Sequence, residues 1–221
     1  MTSEITAHIV NLGKYSAGTL TDAALTFPTT TEQVQAALRS IGVDGLRYEE
    51  IIITEYSSGV PGLAAALGEY ANLDELNYLA ARMSVLAPGQ LEKFAAAVCH
   101  GEYGGNLQDL INLTYNLNCY DLFPEVKTYE DYGRLLVDTH REFYLSQKAQ
   151  YYFDFAAYGE DTAINEGGEL TPQGYIFNNR SPFVKVYNAL DIPQEYRVFQ
   201  YPMRAKARER PPEHPPAAPA R

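Results

Sequence analysis

Apolar residues near the amino terminus come in short runs that are separated by turn residues. Residues 5–12 and 25–28 are rich in apolar and β-branched side chains, and Pro28 closes the second run, so both runs predict strands. The run YEEIIITEY at 48–56 has the composition of a strand in the middle of a sheet. We therefore predict a small α/β domain over residues 1–60, with 48–56 as its central strand.

Between the second and third of these strands, apolar residues recur every three or four positions, which is the period of a helix. Thr30 and Gln33 have the spacing of a capping box at its start, and Gly42 is a natural end. The apolar face of this predicted helix contains Val34, Ala37, Leu38 and Ile41.

Helical periodicity continues through residues 61–118 in three stretches. Asn72 and Asn106 stand where N-caps of two of these helices belong, and Pro88 suits the first turn of the other. Because the loops between the stretches are brief, we predict a small bundle of short helices.

Residues 119–203 mix the two patterns. Residues 129–144 have helical spacing, and Gly167-Gly168 lies between two runs that we interpret as the strands of a hairpin. A further helix and strand are predicted within residues 181–202.

The final residues differ in composition from everything before them. Residues 204–221 are rich in proline, contain no aromatic residue and carry five basic side chains, so we predict a disordered tail.

The fold class predicted for the chain is α+β. We expect an elongated series of three small domains, over residues 1–60 (α/β), 61–118 (helical bundle) and 119–203 (α/β).

Charge is divided unevenly between the body and this tail. Of the 221 residues, 28 are acidic and 17 are basic, a net charge of −11. Residues 1–203 hold 26 of the acids and 12 of the bases, a net charge of −14, whereas residues 204–221 carry +3. An acidic body does not attract nucleic acid or anionic lipid through its overall field, so we predict no direct binding of nucleic acid.

The sequence also limits the compartment. Its longest apolar run is far shorter than the roughly 18 residues of a membrane-spanning helix, and its first residues lack the pattern of a secretory signal. Two cysteines, Cys99 and Cys119, are too few for a disulfide framework. We expect a cytoplasmic protein that does not enter a membrane.

Three long windows contain no basic residue. They span residues 48–81, 94–126 and 149–179 and hold 15 of the 26 acids of the body. Ordinary surfaces intersperse the two signs, often at i,i+4, whereas duplex DNA carries about one negative charge per 1.7 Å of its axis. The windows favour a surface that imitates a polyanion. The alternative is an ordinary acidic surface in which some of the acids begin helices.

We find no catalytic constellation in the sequence. The four histidines lack metal-ligand spacing, and there is no nucleophile elbow, phosphate-binding glycine loop or zinc motif. Cys99 and His100 are adjacent, but neighbours on a helix point about 100° apart, which favours a buried cysteine beside an exposed histidine. We predict that the protein is not an enzyme and uses no metal or cofactor.

Five runs of sequence occur in a fixed order: IVNLGKYSAGTLTDAALTFP, YEEIIITEY, EYANLDELNYLAARM, NCYDLFPEV and FAAYGEDTAINEGGELTPQGYIF. Together they resemble the ArdA family of antirestriction proteins, which conjugative elements carry, over about residues 6–178. The resemblance implies a cytoplasmic, elongated homodimer joined through its C-terminal domain. It also implies an inhibitor that mimics B-form DNA and occupies the DNA-binding groove of type I restriction–modification enzymes.

The resemblance further implies which residues form the DNA-like surface. The acids that correspond by position are Glu49, Glu50, Glu55, Glu69, Asp74, Glu75, Glu92, Glu102, Asp109, Asp121, Glu125, Glu130, Asp131 and Asp138. They are distributed over all three predicted domains.

Two alternatives remain open at this point. A DNA mimic would also fit another defence enzyme, such as a CRISPR effector, because both targets offer a basic channel for a duplex. A protein-binding module that is not a mimic would instead use the aromatic run of Tyr151, Tyr152, Phe153 and Phe155.

Overall fold

A computed structural model of the chain describes residues 2–139 and 144–202. Within these ranges the protein is α+β, as predicted, with short helices and two small antiparallel sheets. The strands are β1 (Ile5–Asn11), β2 (Asp22–Phe27), β3 (Ile51–Ser58), β4 (Tyr120–Phe123), β5 (Glu169–Thr171) and β6 (Gly174–Asn178). The helices are α1 (Leu12–Ser16), α2 (Thr31–Ile41), α3 (Leu63–Ala66), α4 (Leu73–Ser84), α5 (Pro88–His100), α6 (Leu107–Leu113), α7 (Tyr129–Thr139), α8 (Gln147–Gln150) and α9 (Phe155–Glu166). The predicted tail at 204–221 and the helical positions 140–143 lie outside the described residues.

The first sheet has the strand order β2-β1-β3, and both neighbours run antiparallel to β1. The strand predicted at 48–56 is confirmed as β3, but its predicted place in the centre of the sheet is wrong. The centre is β1, most of whose residues are buried and which pairs with a strand on each side. At the outer edge of β3, the Ile53 amide donates to the Glu69 carbonyl at 2.8 Å, so a loop covers part of that edge.

The helix predicted after Thr30 is confirmed as α2. The Thr30 hydroxyl accepts a hydrogen bond from the Gln33 amide at 3.4 Å, and the Gln33 side chain accepts one from the Thr30 amide at 3.0 Å. Gly42 ends the helix with a φ of 77°, a left-handed conformation that favours glycine. The four apolar residues predicted for its face are all buried.

The three helices predicted between residues 61 and 118 are confirmed as α4, α5 and α6. The Asn72 side chain accepts from the Asp74 amide at 2.8 Å, and the Asn106 side chain accepts from the Asp109 amide at 2.8 Å. Pro88 is the first residue of α5. The asparagine caps define where α4 and α6 begin because they satisfy amides that have no partner inside the helix.

The second sheet has the strand order β4-β6-β5 and is antiparallel throughout. The predicted hairpin around Gly167-Gly168 is wrong. Helix α9 runs up to this pair, where Gly167 caps it with a φ of 72°, and the hairpin turns between Thr171 and Gly174 instead. A left-handed glycine suits a helix end as well as a hairpin turn, so the glycine pair did not distinguish the two.

Helices α7 and α9 cross in close contact. A Cβ atom on Gly133 would overlap the Phe155 carbonyl, and one on Gly159 would overlap the Tyr129 carbonyl. Glycine at both positions therefore lets the two backbones approach each other.

Residues 179–202 form an extended segment that we name the C-terminal arm. The further helix and strand predicted here are wrong, because the arm contains one 3-10 turn, at Gln194–Tyr196, and is otherwise without regular structure. Side chains of other elements satisfy its main-chain groups. For example, the amides of Val186 and Tyr187 both donate to Asn112 Oδ1 at 2.8 Å.

Two hydrophobic cores hold the described residues together. The larger one joins the first sheet, α2 and helices α4 to α6, and it also includes Tyr120 of β4, Ile176 of β6 and Val198 of the arm. The smaller one contains Val126, Tyr132, Leu136, Ala163 and Tyr175. The larger core is shared by residues on both sides of position 60, and the division into three domains stays a prediction.

Candidate acidic surface

Four of the fourteen acids predicted for the DNA-like surface lie along β3. Glu49 and Glu50 directly precede the strand, and Glu55 lies within it. Glu69 lies beside the strand because its main-chain carbonyl accepts from the Ile53 amide. All four glutamates are exposed. At about 3.3 Å per strand residue, the segment from Glu49 to Glu55 spans roughly 20 Å.

A β-bulge at Thr54 sets the direction of the Glu55 side chain. Ile53 pairs with Ile9 and Glu55 pairs with His8, which leaves Thr54 as the extra residue. The Thr54 hydroxyl donates to the His8 carbonyl at 3.3 Å. Because the bulge interrupts the strict alternation of the strand, Thr54 and Glu55 are both exposed.

The two acids in the first turn of α4 bind the arm. Asp74 Oδ1 accepts from the amides of Val198 and Phe199, both at 2.7 Å. Glu75 Oε1 accepts from the Tyr187 hydroxyl at 2.7 Å. Both acids are half-buried, so these carboxylates already have partners within the fold.

The other acids of the helical segment fall into two groups. Asp109 Oδ2 accepts from Asn106 Nδ2 at 2.8 Å, and Glu102 Oε2 accepts from Asn178 Nδ2 at 2.7 Å. Glu92 on α5 is exposed, and its side chain has no hydrogen-bond or ion-pair partner among the described residues.

Two acids near the second sheet also have structural partners. Asp121 is half-buried and accepts from Asn179 Nδ2 at 3.3 Å. Thr128 caps α7 by accepting from the Asp131 amide at 3.1 Å, and the Asp131 carboxylate accepts in return from the Thr128 hydroxyl at 2.8 Å and from the Lys127 amide at 3.2 Å. The bond from the Thr128 hydroxyl, followed by that from the Lys127 amide, holds the pKa of Asp131 below its usual value.

The remaining three acids are exposed. Glu130 pairs with Arg134, four residues later on α7, at 2.7 Å. Glu125 and Asp138 have no hydrogen bond or ion pair to their side chains within the described part of the chain.

Seven predicted acids therefore combine exposure with the lack of a side-chain partner in residues 2–139 and 144–202, and we call them the free acids. They are Glu49, Glu50, Glu55, Glu69, Glu92, Glu125 and Asp138. Glu130 alone among the fourteen lies within ion-pair distance of a described basic residue. None of the free acids therefore lies within ion-pair distance of a described basic side chain.

Two bases that border the acidic windows are held inside the fold. Lys93 Nζ donates to the Tyr120 carbonyl at 2.7 Å. The Arg82 guanidinium lies over the Tyr115 ring, 3.9 Å from its centroid, a favourable cation–π arrangement. Both cations therefore stabilise packing and do not neutralise the free acids.

The predicted contrast between a buried Cys99 and an exposed His100 is wrong, because both residues are half-buried, and their side chains bind different groups. Cys99 Sγ donates to the Pro61 carbonyl at 3.7 Å, and burial raises the pKa of its thiol. His100 Nε2 lies 2.9 Å from the Gly167 carbonyl. A protonated thiol without a base is a poor nucleophile, so this pair offers no catalytic arrangement.

The groups that bind the arm were not predicted from the sequence. Gln108, Asn112 and Asn116 lie at i,i+4 spacing and point to the arm from α6 and the turn that follows it. Their spacing on one side of an apolar helix was the available signal, because a buried amide needs a hydrogen-bonding partner.

Comparison with known protein families bears on these residues. The chain matches the family model described as antirestriction protein (ArdA) over residues 7–177, more than three-quarters of its length. This chain belongs to the ArdA family. The resemblance inferred from the five sequence runs is thereby confirmed. No curated protein shows a significant match to the chain.

Membership of the ArdA family implies an antirestriction function, that of an inhibitor protein. The matched region contains all fourteen predicted acids and ends within β6, before the arm begins. In the described ranges, no helix of this ArdA protein is both long enough and apolar enough to cross a membrane.

Proposed function

We propose that this ArdA-family protein inhibits type I restriction–modification enzymes by mimicking B-form DNA and occupying their DNA-binding groove. The free acids carry the proposal. They are exposed carboxylates without partners among the described side chains, and Lys93, which borders the second base-free window, is bound to the Tyr120 carbonyl. The family match supports the inhibitory role.

A carboxylate surface suits a groove that binds DNA largely through its backbone. Lysine and arginine side chains in such a groove contact phosphates, and these contacts position the duplex without recognising its sequence. Carboxylates at comparable positions would make charge-assisted hydrogen bonds with the same cations. The protein itself has the same sign of charge as DNA, and for that reason we propose no direct contact with nucleic acid.

The amount of charge favours a dimer as the acting unit. One body of net charge −14 equals the charge on roughly 24 Å of duplex, at about 1.7 Å per charge. Two bodies equal roughly 48 Å. A homodimer would therefore fill a longer part of a DNA groove than one copy.

The exposed aromatic residues of the C-terminal part support a dimer contact there. Tyr144, Tyr151 and Tyr152 are 90%, 85% and 78% exposed. Tyrosine is enriched in protein interfaces because its ring is apolar and its hydroxyl remains able to form hydrogen bonds. We therefore place the homodimer contact in the C-terminal domain, around these tyrosines.

A cytoplasmic location fits the thiols. Cys99 and Cys119 are both free, and unpaired cysteines are typical of a reducing compartment. In the cytoplasm the protein would act on restriction enzymes of the cell that a conjugative element enters.

Competition for DNA tests the proposed function. A fluorescent duplex is bound to the methyltransferase core of a type I enzyme, and the full chain is added while anisotropy is measured. We expect displacement of the duplex at micromolar protein or below. If the duplex stays bound, type I inhibition by mimicry is contradicted.

A parallel titration against a CRISPR effector separates target from mechanism. Displacement from that effector alone would retain the mimicry and change the target. The module that is not a mimic predicts a third result, in which replacing Tyr151 and Tyr152 by alanine abolishes binding and neutralising the free acids has no effect.

A further inference from the structure

The C-terminal arm lies against α6 and is bound mainly through its backbone. Asn112 Oδ1 accepts from the amides of Val186 and Tyr187, and Asn112 Nδ2 donates to the Tyr187 carbonyl, all at 2.8 Å. One turn later, Asn116 accepts from the Val184 amide at 2.8 Å and donates to its carbonyl at 2.9 Å. These two asparagines bind an extended segment as a neighbouring strand would.

Two aromatic side chains anchor the same part of the arm. Tyr187 is buried, packs edge-on against Tyr78 with ring centroids 5.4 Å apart, and donates its hydroxyl to Glu75. Phe183 stacks on Tyr103 with ring centroids 3.8 Å apart. The arm is therefore fixed by side-chain packing as well as by its main chain.

Further along, the arm reaches the first sheet. After its contacts with Asp74 on α4, the Tyr201 hydroxyl donates to the Glu49 carbonyl at 3.0 Å, and the Tyr201 carbonyl accepts from Gln35 Nε2 at 3.3 Å. A Cβ on Gly45 would overlap the Tyr201 ring. One continuous segment thus connects the end of β6, helices α6 and α4, and the loop from which the acids of β3 project.

We propose that the C-terminal arm is a positioning element that fixes the free acids along β3 relative to those near the second sheet, a role that rests on the proposed function. The arm lies beyond residues 7–177, which the family model matches, so family membership does not account for it. Asp74 and Glu75 serve as its anchors on α4. Its main-chain anchor on α6 is Asn112.

Rigidity matters for a polyanion that enters a preformed groove. When charges are already held at fixed distances, binding does not have to order them, so less conformational entropy is lost on contact. If the first sheet moved relative to the second, restoring the spacing of the carboxylates would reduce the net free energy of binding. The larger core already connects the two sheets, and the arm adds a second connection through its bonds to Asn112, Glu75 and Asp74.

Two variants of equal charge test this role in the full chain. Asn112→Ala removes three bonds to the arm, whereas the control Asn118→Ala changes an exposed asparagine whose side chain has no partner among the described residues. Spin labels on noncanonical residues at the exposed positions Ser57 and Lys127 report the distance between the two sheets. Displacement of duplex from the type I methyltransferase core is measured in parallel on unlabelled protein.

We expect Asn112→Ala to broaden the distance distribution and to weaken displacement on the order of tenfold, while Asn118→Ala changes neither. A distribution as narrow as that of the wild type overturns the proposal, and so does a broadened distribution with unchanged displacement. If Asn112→Ala does not fold by circular dichroism, Tyr187→Phe replaces it, since it removes only the bond to Glu75. For Tyr187→Phe we expect displacement of duplex to weaken two- to threefold. An unchanged distance distribution again overturns the proposal.

The distance measurement also separates this role from the proposed function. If the wild-type chain fails to displace duplex, the proposed function fails. Broadening in Asn112→Ala would then still show that the arm fixes the spacing of the two sheets, and its absence would overturn that role as well.

Discussion

The acids around β3 and the acids at the start of α4 are close in sequence but differ in environment. Glu49, Glu50 and Glu55 are exposed and have no side-chain partner among the described residues. Asp74 and Glu75 are half-buried and bind the arm through its amides and a tyrosine hydroxyl. Carboxylates in the same base-free window therefore differ in environment: Asp74 and Glu75 have partners within the fold, whereas the exposed glutamates have none among the described residues and are the ones proposed to contact a partner.

This difference shows that acid content alone does not locate an interaction surface. A charge that remains in water costs the fold little and leaves its field available to a partner. A carboxylate that accepts two backbone amides contributes to stability, and its removal leaves those amides without a partner. Measuring inhibition and stability on the same variants separates the two kinds of acid.

The largest expected effect is on inhibition. We expect the fourfold change of Glu49, Glu50, Glu55 and Glu69 to glutamine to weaken displacement of duplex on the order of 100-fold, since each exposed charge contact contributes about 0.7 kcal/mol and each tenfold requires about 1.4 kcal/mol. The thermal midpoint should stay the same or rise, because like charges are removed from β3 and the residues next to it.

A control of equal charge tests position against total charge. Glu4, Glu160, Asp161 and Glu195 are exposed acids outside the predicted surface, and their conversion to amides changes the net charge by the same amount. We expect this control variant to displace duplex no more than a fewfold less well than the wild type. Equal losses in the two fourfold variants would show that total charge, and not the position of the acids along β3, determines inhibition.

The next effect is on stability. Asp74→Ala deprives the Val198 and Phe199 amides of their acceptor, and leaving such groups unsatisfied costs about 2–3 kcal/mol. Urea unfolding followed by circular dichroism measures this loss. The matched change Glu50→Ala should cost less than about 0.5 kcal/mol, and comparable losses in the two variants would argue against an anchoring role for Asp74.

A smaller effect is expected at the start of α6. Asn106→Ala removes the cap that accepts from the Asp109 amide at 2.8 Å, which costs about 1 kcal/mol. Inhibition should remain close to that of the wild type after correction for the folded fraction. A large loss of inhibition in fully folded protein would instead place this helix start in the contact surface.

The smallest effect is a pH dependence at Asp131. Its pKa is lower in the folded state than in the unfolded chain, so its contribution to stability is present above the unfolded pKa of about 3.9. That contribution is lost as the pH falls through the lower folded value. We expect Asp131→Asn to lose less stability than the wild type on acidification below about pH 4, as measured by urea midpoints. If the urea midpoints of the two proteins change in parallel with pH, the proposed contribution of Asp131 is contradicted.

Local features were predictable where the side chain and the backbone group it satisfies are close in sequence. Thr30, Asn72 and Asn106 each cap a helix within three residues of themselves, so the sequence identified those helix starts. Gly167 has the left-handed conformation that both a helix end and a hairpin turn require, so the local sequence is compatible with either structure, and the predicted hairpin is wrong.

Features that depend on distant partners were not predictable in the same way. The arm is extended because Asn112 and Asn116, about 70 positions earlier, satisfy its backbone. The exposure of Glu55 depends on a bulge opposite His8, which the strand pattern alone does not reveal. For the acidic surface, the base-free windows indicated where carboxylates collect, and contacts between distant residues determined which of them have partners.

The internal positions of Lys93 and Arg82 have an evolutionary consequence. Each of these cations is required by a specific carbonyl, hydroxyl or ring within the fold, so its replacement would be selected against through loss of folded protein. The exposed glutamates of β3 have no such internal constraint. In lineages released from the need to inhibit, we expect these glutamates to vary first, while Lys93 and Arg82 persist for as long as the chain still folds.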